Sequence, residues 1–267
     1  VGRGMLDAAV AGNMFSSPSP DRILCGIREA DAGAGVLMVI KNYSGDIMNF
    51  EMAQELAEAE GIQVDHVVVR DDVAVPDSTY STGRRGIAGT VLVHKIAGAK
   101  ALCGGTLPEV KAAAEQAIAN IRSMGMAMTP CTLPAVGTPG CVVNDNEIEI
   151  GMGIHGEPGI EKTAMKTAAE LADCLLQKIL SDYDYSDSEV MLLVNGLGGT
   201  PLMELYILNL EVRKILEARN IRVYRSMVGN YMTSIEMSGC SLTLMKLNEE
   251  LKALLDAPCD TPAFKMP

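Results

Sequence analysis

Short runs of consecutive apolar residues alternate along the chain with longer stretches whose apolar positions recur at helical spacing. That alternation predicts an α/β protein. Strands are expected at Val36–Ile40, His66–Arg70, Met126–Cys131, Ile148–Ile154, Val190–Val194, Ile221–Val228 and Ser241–Leu247. Several, such as Gly-Val-Leu-Met-Val-Ile at 35 to 40, are apolar on consecutive positions, as strands buried on both faces are. Helices are expected at Asp21–Ala30, Ile47–Glu60, Gly86–Ala101, Pro108–Ser123, Glu161–Leu180 and Met203–Arg219. Ser19-Pro20-Asp21 and Thr200-Pro201 read as helix starts, each with a hydroxyl for the cap and a proline for the first turn. The acidic run Ser181-Asp-Tyr-Asp-Tyr-Ser-Asp-Ser188 interrupts the pattern. It is either an ordinary loop or a boundary, which would divide the chain into domains 1–180 and 189–267.

Glycine placement adds a possible site. Glycines cluster at strand ends in Asn42-Tyr-Ser-Gly-Asp46, in Gly151-Met-Gly-Ile-His-Gly-Glu-Pro-Gly159 and in Asn195-Gly-Leu-Gly-Gly-Thr-Pro201. In open α/β sheets, loops after the carboxyl ends of strands line the ligand crevice, so the three are expected to share one mouth.

Composition narrows the classes. A length of 267 residues suits one large domain or two modest ones. With 48% hydrophobic and 21% charged residues the chain is too apolar for disorder. Its apolar runs fall far short of the roughly 18 residues that suggest a membrane span. With seven Tyr, three Phe and no Trp, the core must be aliphatic and rich in the seventeen Met. A net charge of −12 argues against nucleic-acid binding, which needs clustered Lys and Arg. Seven Cys, odd in number, scattered and without C-x-x-C, read as reduced cytoplasmic thiols rather than a disulfide framework or zinc site. His66, His94 and His155 are too far apart for a local metal motif, and Val1 to Ala11 does not read as a signal peptide.

Two residues stand out chemically. Asp46 follows an apolar strand and a tight turn and precedes the helix expected from Ile47. It is either that helix's N-cap or a carboxylate facing the crevice, and the two roles are compatible. His155 is set among glycines that let backbone approach a ligand closely. It serves as base, metal ligand or nucleophile, or else merely fills a turn or the core. His66, mid-strand, and His94, mid-helix, are expected to be structural. The Asn195–Pro201 loop could offer backbone N–H groups to an anion, but no Lys follows its glycines, so a structural turn is the stronger expectation. In Thr82-Gly-Arg-Arg-Gly86 the two arginines are expected to be solvated or paired.

Nine blocks occur in order: Gly-Met-Leu-Asp-Ala-Ala at 4 to 9, Ser-Ser-Pro-Ser-Pro-Asp at 16 to 21, Lys-Asn-Tyr-Ser-Gly-Asp at 41 to 46, Asp-Asp-Val-Ala-Val at 71 to 75, Gly-Arg-Arg-Gly at 83 to 86, Gly-Thr-Val-Leu-Val-His-Lys at 89 to 95, Gly-Ile-His-Gly-Glu-Pro-Gly at 153 to 159, Asn-Gly-Leu-Gly-Gly-Thr-Pro-Leu-Met-Glu-Leu-Tyr at 195 to 206, and Ser-Leu-Thr-Leu at 241 to 244. Together they resemble, over essentially the whole chain, the dihydroxyacetone-binding K subunits of dihydroxyacetone kinases.

The resemblance implies two α/β domains with mostly parallel or mixed sheets flanked by helices, in a homodimer. It implies that His155 holds dihydroxyacetone as a covalent hemiaminal. It further implies that Asp46 orients, or takes a proton from, the hydroxyl that attacks the phosphoryl group. Both residues are then catalytic and substrate-binding. No cofactor or metal is expected in this chain. The resemblance places ADP or ATP with Mg on a partner L subunit, which an M phosphocarrier recharges in bacterial phosphotransferase systems. A paralogue that senses dihydroxyacetone as a transcriptional coactivator is the alternative; it would need the trap but not the carboxylate. The family also carries an N-terminal Gly-Ser-Gly-His-Glu-Pro loop upstream of the Gly-Met-Leu block. Here Val1 stands three residues before Gly4, so a cleaved or partial chain of low activity is expected.

Overall fold

The computed structural model describes residues 1–76, 82–139, 143–144 and 146–267. Its elements run α1 (Pro20–Ala30), β1 (Val36–Lys41), α2 (Ser44–Ala59), β2 (Val64–Val69), α3 (Thr90–Leu102), α4 (Leu107–Asn120), β3 (Ile121–Ala127), β4 (Glu147–Ile150), β5 (Glu161–Ala164), α5 (Ala168–Asp182), β6 (Glu189–Gly196), α6 (Leu202–Ala218), β7 (Arg222–Gly229), β8 (Gly239–Lys246), α7 (Glu249–Asp256), β9 (Cys259–Asp260) and β10 (Lys265–Met266). They gather into two units, each assembled from separated stretches of chain. The first comprises Val1–Arg70, Thr90–Ala119 and Asn248–Pro267; the second comprises Asp71–Gly89 and Asn120–Leu247.

In the first unit β1 and β2 pair in parallel, from Val36 opposite Val64 to Lys41 opposite Val69. A parallel pair needs a crossover, and α2 provides it. Ile23, Leu24 and Ile27 of α1 are buried with Ala53 and Ala57 of α2 over Met38 and Ile40 of β1. The two alanines let the helices approach closely. α3 buries Val91, Leu92, Val93, Ile96, Ala97 and Ala99, so it is apolar almost all round and central. A Cβ on its Gly98 would lie 2.1 Å from the Met5 carbonyl oxygen, so this glycine lets the N-terminal Gly-Met-Leu block pass against the helix. The buried Lys95 ammonium donates to the Leu254 carbonyl (2.6 Å) in the last turn of α7. A cation there complements the negative helix end.

The second unit is a six-stranded mixed sheet in the order β5-β4-β3-β8-β6-β7, of which only β6–β7 is a parallel pair. Leu175, Leu176 and Ile179 of α5 and Leu205, Leu208 and Val212 of α6 belong to the same core as Val190, Leu192 and Val194 of β6 and Leu242 and Leu244 of β8. β6 is buried on both faces, as its unbroken apolar run predicts.

The expected division at 181–188 is corrected by this arrangement. That run connects α5 to β6 inside the second unit, whereas the chain passes between units near residues 70, 90, 120 and 247. Its tyrosines explain why it does not behave as a linker. Tyr185 is buried and donates to the Leu244 carbonyl (3.0 Å), and Tyr183 donates to Asn120 Oδ1 (2.9 Å). The helix expected over Glu161–Leu180 is in fact β5 followed by α5. Thr167 caps α5, and Thr167 and Glu170 form a capping box there. The strand expected at Met126–Cys131 lies earlier, at β3, because α4 hands over to it with no loop.

Candidate functional site

Asp46 lies in the first unit. Ser44 already begins α2, and Tyr43 stands at its cap position without a side-chain cap bond. Asp46 is therefore a half-buried first-turn residue rather than the N-cap. A carboxylate there complements the N–H groups at the helix end. The turn before it is fixed by backbone bonds from Asn42 N to Val69 O (3.0 Å) and from Tyr43 N to Lys41 O (2.8 Å), so β1 delivers the residue at a defined place.

His155 lies in the second unit, in the connection between β4 and β5. Ile160 N donates to Ile150 O (2.8 Å) and Gly153 N to Glu157 O (3.0 Å), so the loop closes on itself. Gly156, at φ +89°, makes the reversal that a side chain would strain. The imidazole is about three-quarters buried, and its Nδ1 lies 2.8 Å from Glu157 Oε1. The backbone N–H of His155 donates to the other oxygen, Oε2, of the same carboxylate. Burial would raise the Glu157 carboxyl, but its bond to His155 and the nearby Arg85 charge hold it below the usual carboxylate range.

Behind Glu157 stands a second layer. Arg85 is buried, donates from Nε to Asp72 Oδ2 (2.8 Å) and from Nη2 to the Gly151 carbonyl (2.8 Å). Asp72 Oδ1 accepts from Ala74 N (3.0 Å). Burial pushes the Asp72 carboxyl up to about 6 even beside Arg85. The neighbouring Asp71 accepts from Ile87 N (2.7 Å), Gly89 N (2.8 Å) and Ser123 Oγ, which ties the 71–89 stretch to β3. Gly153 is needed for this packing. A Cβ there would fall 2.0 Å from Glu157 Oε2 and 2.6 Å from Arg85 Nη1. Glu157, Arg85 and Asp72 were not singled out as site residues by spacing. Only Glu157, two residues from His155, was close enough in sequence to signal its part.

The remaining candidates are structural. In Asn195–Pro201, Cβ atoms on Gly198 and Gly199 would strike the Ile235 and Glu236 carbonyl oxygens at 1.9 and 2.4 Å, so these glycines serve backbone packing. β4 runs antiparallel to β6, so the chain leaves these two strands in opposite directions. Arg84 makes a two-bond pair with Asp182 (2.7 and 3.1 Å), and Arg85 pairs as described, in line with the paired alternative. His66 Nδ1 meets Gln54 Oε1 (2.8 Å), and burial lowers His94 to about 4. Among the described residues no cluster of three His, Cys, Asp or Glu could hold a metal, and no helix is long and apolar enough to cross a membrane. Cys25, Cys103, Cys131, Cys174, Cys240 and Cys259 are free thiols; Cys141 lies outside the described residues.

The Dak1 domain model matches residues 1–263. The chain belongs to the Dak1 family. It is 52% identical over 266 residues to the "PTS-dependent dihydroxyacetone kinase 1, dihydroxyacetone-binding subunit DhaK" of Listeria innocua, covering 99% of this chain and 81% of that one. Among solved structures, this Dak1 chain superposes with a TM-score of 0.94 on the "dihydroxyacetone kinase operon co-activator", at 37% identity, over 100% of this chain and 83% of the other. The native dihydroxyacetone kinase of C. freundii gives a TM-score of 0.93 at 35% identity, over 100% of this chain and 48% of that one. The Dak1 fold thus carries both a kinase and a co-activator, and the choice between them rests on the site.

Proposed function

We propose that this chain is the substrate-binding subunit of a phosphoenolpyruvate-dependent dihydroxyacetone kinase. It holds dihydroxyacetone on His155 while a partner L subunit, bearing ADP or ATP with Mg, delivers the phosphoryl group. An M phosphocarrier would recharge the L subunit. The observation that carries the reading is the carboxylate-held imidazole of His155 in a chain half-identical to a named dihydroxyacetone-binding subunit.

In this reading the His155 lone pair attacks the ketone carbon. The C–N bond forms as the carbonyl π pair moves to oxygen, and the net transfer of the ring N–H proton to that oxygen gives the neutral hemiaminal. Covalent capture suits a small polyol-like substrate, which offers little apolar area for binding. It also rejects glycerol, which has no carbonyl. Asp46 then orients the terminal hydroxyl and accepts its proton as phosphorus–oxygen bonding develops. A dihydroxyacetone-sensing co-activator would need the trap but not Asp46, so the carboxylate favours the kinase.

The test combines full-length protein, L and M partners, phosphoenolpyruvate and dihydroxyacetone. Dihydroxyacetone phosphate is expected, with crystallographic density continuous from His155 to the ligand carbon. A freely bound ketone, or no product from the complete system, would sink the proposal.

We also propose a homodimer. Met203, Tyr206, Ile207 and Leu210 of α6 are exposed at one-turn spacing and form an apolar strip of the kind that a partner surface covers. Sedimentation at micromolar concentration is expected to give a dimer, and Ile207→Glu with Met203→Glu a monomer. A wild-type monomer would exclude the assembly.

A further inference from the structure

Glu157 meets two donors of one residue with its two oxygens: the backbone N–H of His155 at Oε2 and the ring Nδ1 at Oε1. An ionised carboxylate only accepts, so Nδ1 must carry the proton and the neutral ring keeps its lone pair on Nε2. Two features keep the carboxylate ionised and in place. The Arg85 guanidinium lies beside it across the gap left by Gly153, and Arg85 itself is fixed by Asp72 and the Gly151 carbonyl. The loop backbone supplies the other restraint, because Gly153 N donates to the carbonyl of Glu157 itself. Ring and carboxylate are therefore held by one closed five-residue turn, Gly153 to Glu157.

We propose that Glu157 is a positioning residue for His155, fixing the Nδ1–H tautomer and opposing the positive charge that grows on the ring during capture, with Arg85 and Asp72 as its anchor. The inference rests on the reading of His155 as the capturing residue. The chemistry follows from the electron count of that step. When the Nε2 lone pair forms the bond to carbon, the carbonyl π pair leaves for oxygen and the ring becomes an imidazolium. That charge is neutralised in place by the carboxylate at Nδ1, until the Nδ1 proton is passed on and the alkoxide becomes a hydroxyl. A carboxylate held 2.8 Å away is more strongly favourable to the charged ring than to the neutral one, which is the differential binding that catalysis requires.

Glu157→Gln separates this role from mere loop support. The amide has one acceptor and one donor group. Its oxygen satisfies the backbone N–H of His155, and its NH2 then faces Nδ1. All partners are satisfied only when Nδ1 accepts, which moves the ring proton to Nε2 and removes the lone pair from the attacking nitrogen. The fold is therefore expected to survive while capture fails. ¹⁵N spectra of histidine-labelled full-length protein are assigned with His155→Ala as a blank. Wild type should show a protonated Nδ1 at His155, and Glu157→Gln a protonated Nε2. Capture, read as conversion of [2-¹³C]dihydroxyacetone from a trigonal to a tetrahedral carbon, should weaken on the order of 10²-fold or more in Glu157→Gln, with an unchanged melting temperature. Glu157→Asp keeps a two-oxygen anion and should retain the Nδ1–H signature and weaken capture less. Wild-type capture in Glu157→Gln, or an Nε2–H ring in Glu157→Asp, overturns the proposal. Capture that persists in His155→Ala instead overturns the reading of His155 itself, and the nitrogen spectra still decide whether Glu157 sets the tautomer.

Discussion

Asp46→Asn is expected to leave dihydroxyacetone captured and to lower phosphoryl transfer by about 10²–10⁴-fold, the range of general-base contributions. The separation follows from which atoms each residue acts on in the proposed mechanism. His155 acts on the carbonyl carbon, and Asp46 on the hydroxyl that attacks phosphorus. Asparagine keeps the size and hydrogen-bonding reach of aspartate but cannot accept the proton. It also keeps the fold, because Asp46 is not the cap of α2 and no cap bond is lost with its charge. The measurement is turnover with saturating L partner, set beside the ¹³C capture signal of the same preparation. His155→Ala should show the reverse order, with capture lost first. Parallel loss of capture and turnover in both variants would merge the two roles into one.

The legibility of this protein in its sequence divides along physical lines. Strands with unbroken apolar runs were readable: β1, buried on the face that carries Met38 and Ile40, was expected at Val36–Ile40 and spans Val36–Lys41, and β6, buried on both faces, was expected at Val190–Val194 and spans Glu189–Gly196. β5, Glu-Lys-Thr-Ala, was not readable, because an exposed edge strand has no buried face to impose period-two alternation. A signal against the long helix was nonetheless present. Thr167-Ala-Ala-Glu170 is the pattern of a capping box, which starts a helix and so cannot lie inside one. The handover from α4 to β3 between Asn120 and Ile121 lacked any glycine or proline to announce it. The site shows the same contrast. His155 was conspicuous through its glycines, whereas Arg85 and Asp72 read as ordinary charged residues. Their significance lies in the contact of Arg85 with Gly151, 66 positions away in the chain. Local pattern cannot encode a contact of that separation.

Asp182→Ala is expected to destabilise the protein by about 1–2 kcal/mol at neutral pH, between the cost of losing an exposed ion pair and that of breaking a buried one from one side. Its carboxylate takes two bonds from Arg84 (2.7 and 3.1 Å) and one from Arg122 Nε (2.5 Å), with side-chain exposures of 23% for Asp182, 10% for Arg84 and 18% for Arg122. Removing it takes the shared carboxylate away from two guanidiniums that little water reaches. Arg122 also approaches the Tyr183 ring, 4.8 Å to the centroid, and bonds the Ile121 carbonyl (2.7 Å). This is also why the acidic run at 181–188 is not a boundary: its first carboxylate locks the end of α5 to β3 and to the 82–86 turn. The pH dependence has a definite sign. Burial raises the Asp182 carboxyl, but Arg84 and Arg122 outweigh it and hold the group below the usual carboxylate range. The unfolded state therefore binds the proton more readily than the folded state. The stabilisation is complete above the ordinary aspartate value of about 3.9 and is lost as pH falls through the lower folded value. Urea unfolding at pH 7, 5 and 3 should accordingly show a full gap between wild type and Asp182→Ala at the first two and a narrower one at the third. Asp184→Ala, in the same run but at the surface, should leave the midpoint in place at all three. A gap at pH 7 no larger for Asp182 than for Asp184 would mean that the two arginines find other partners, and that the run is the simple surface loop its composition suggests.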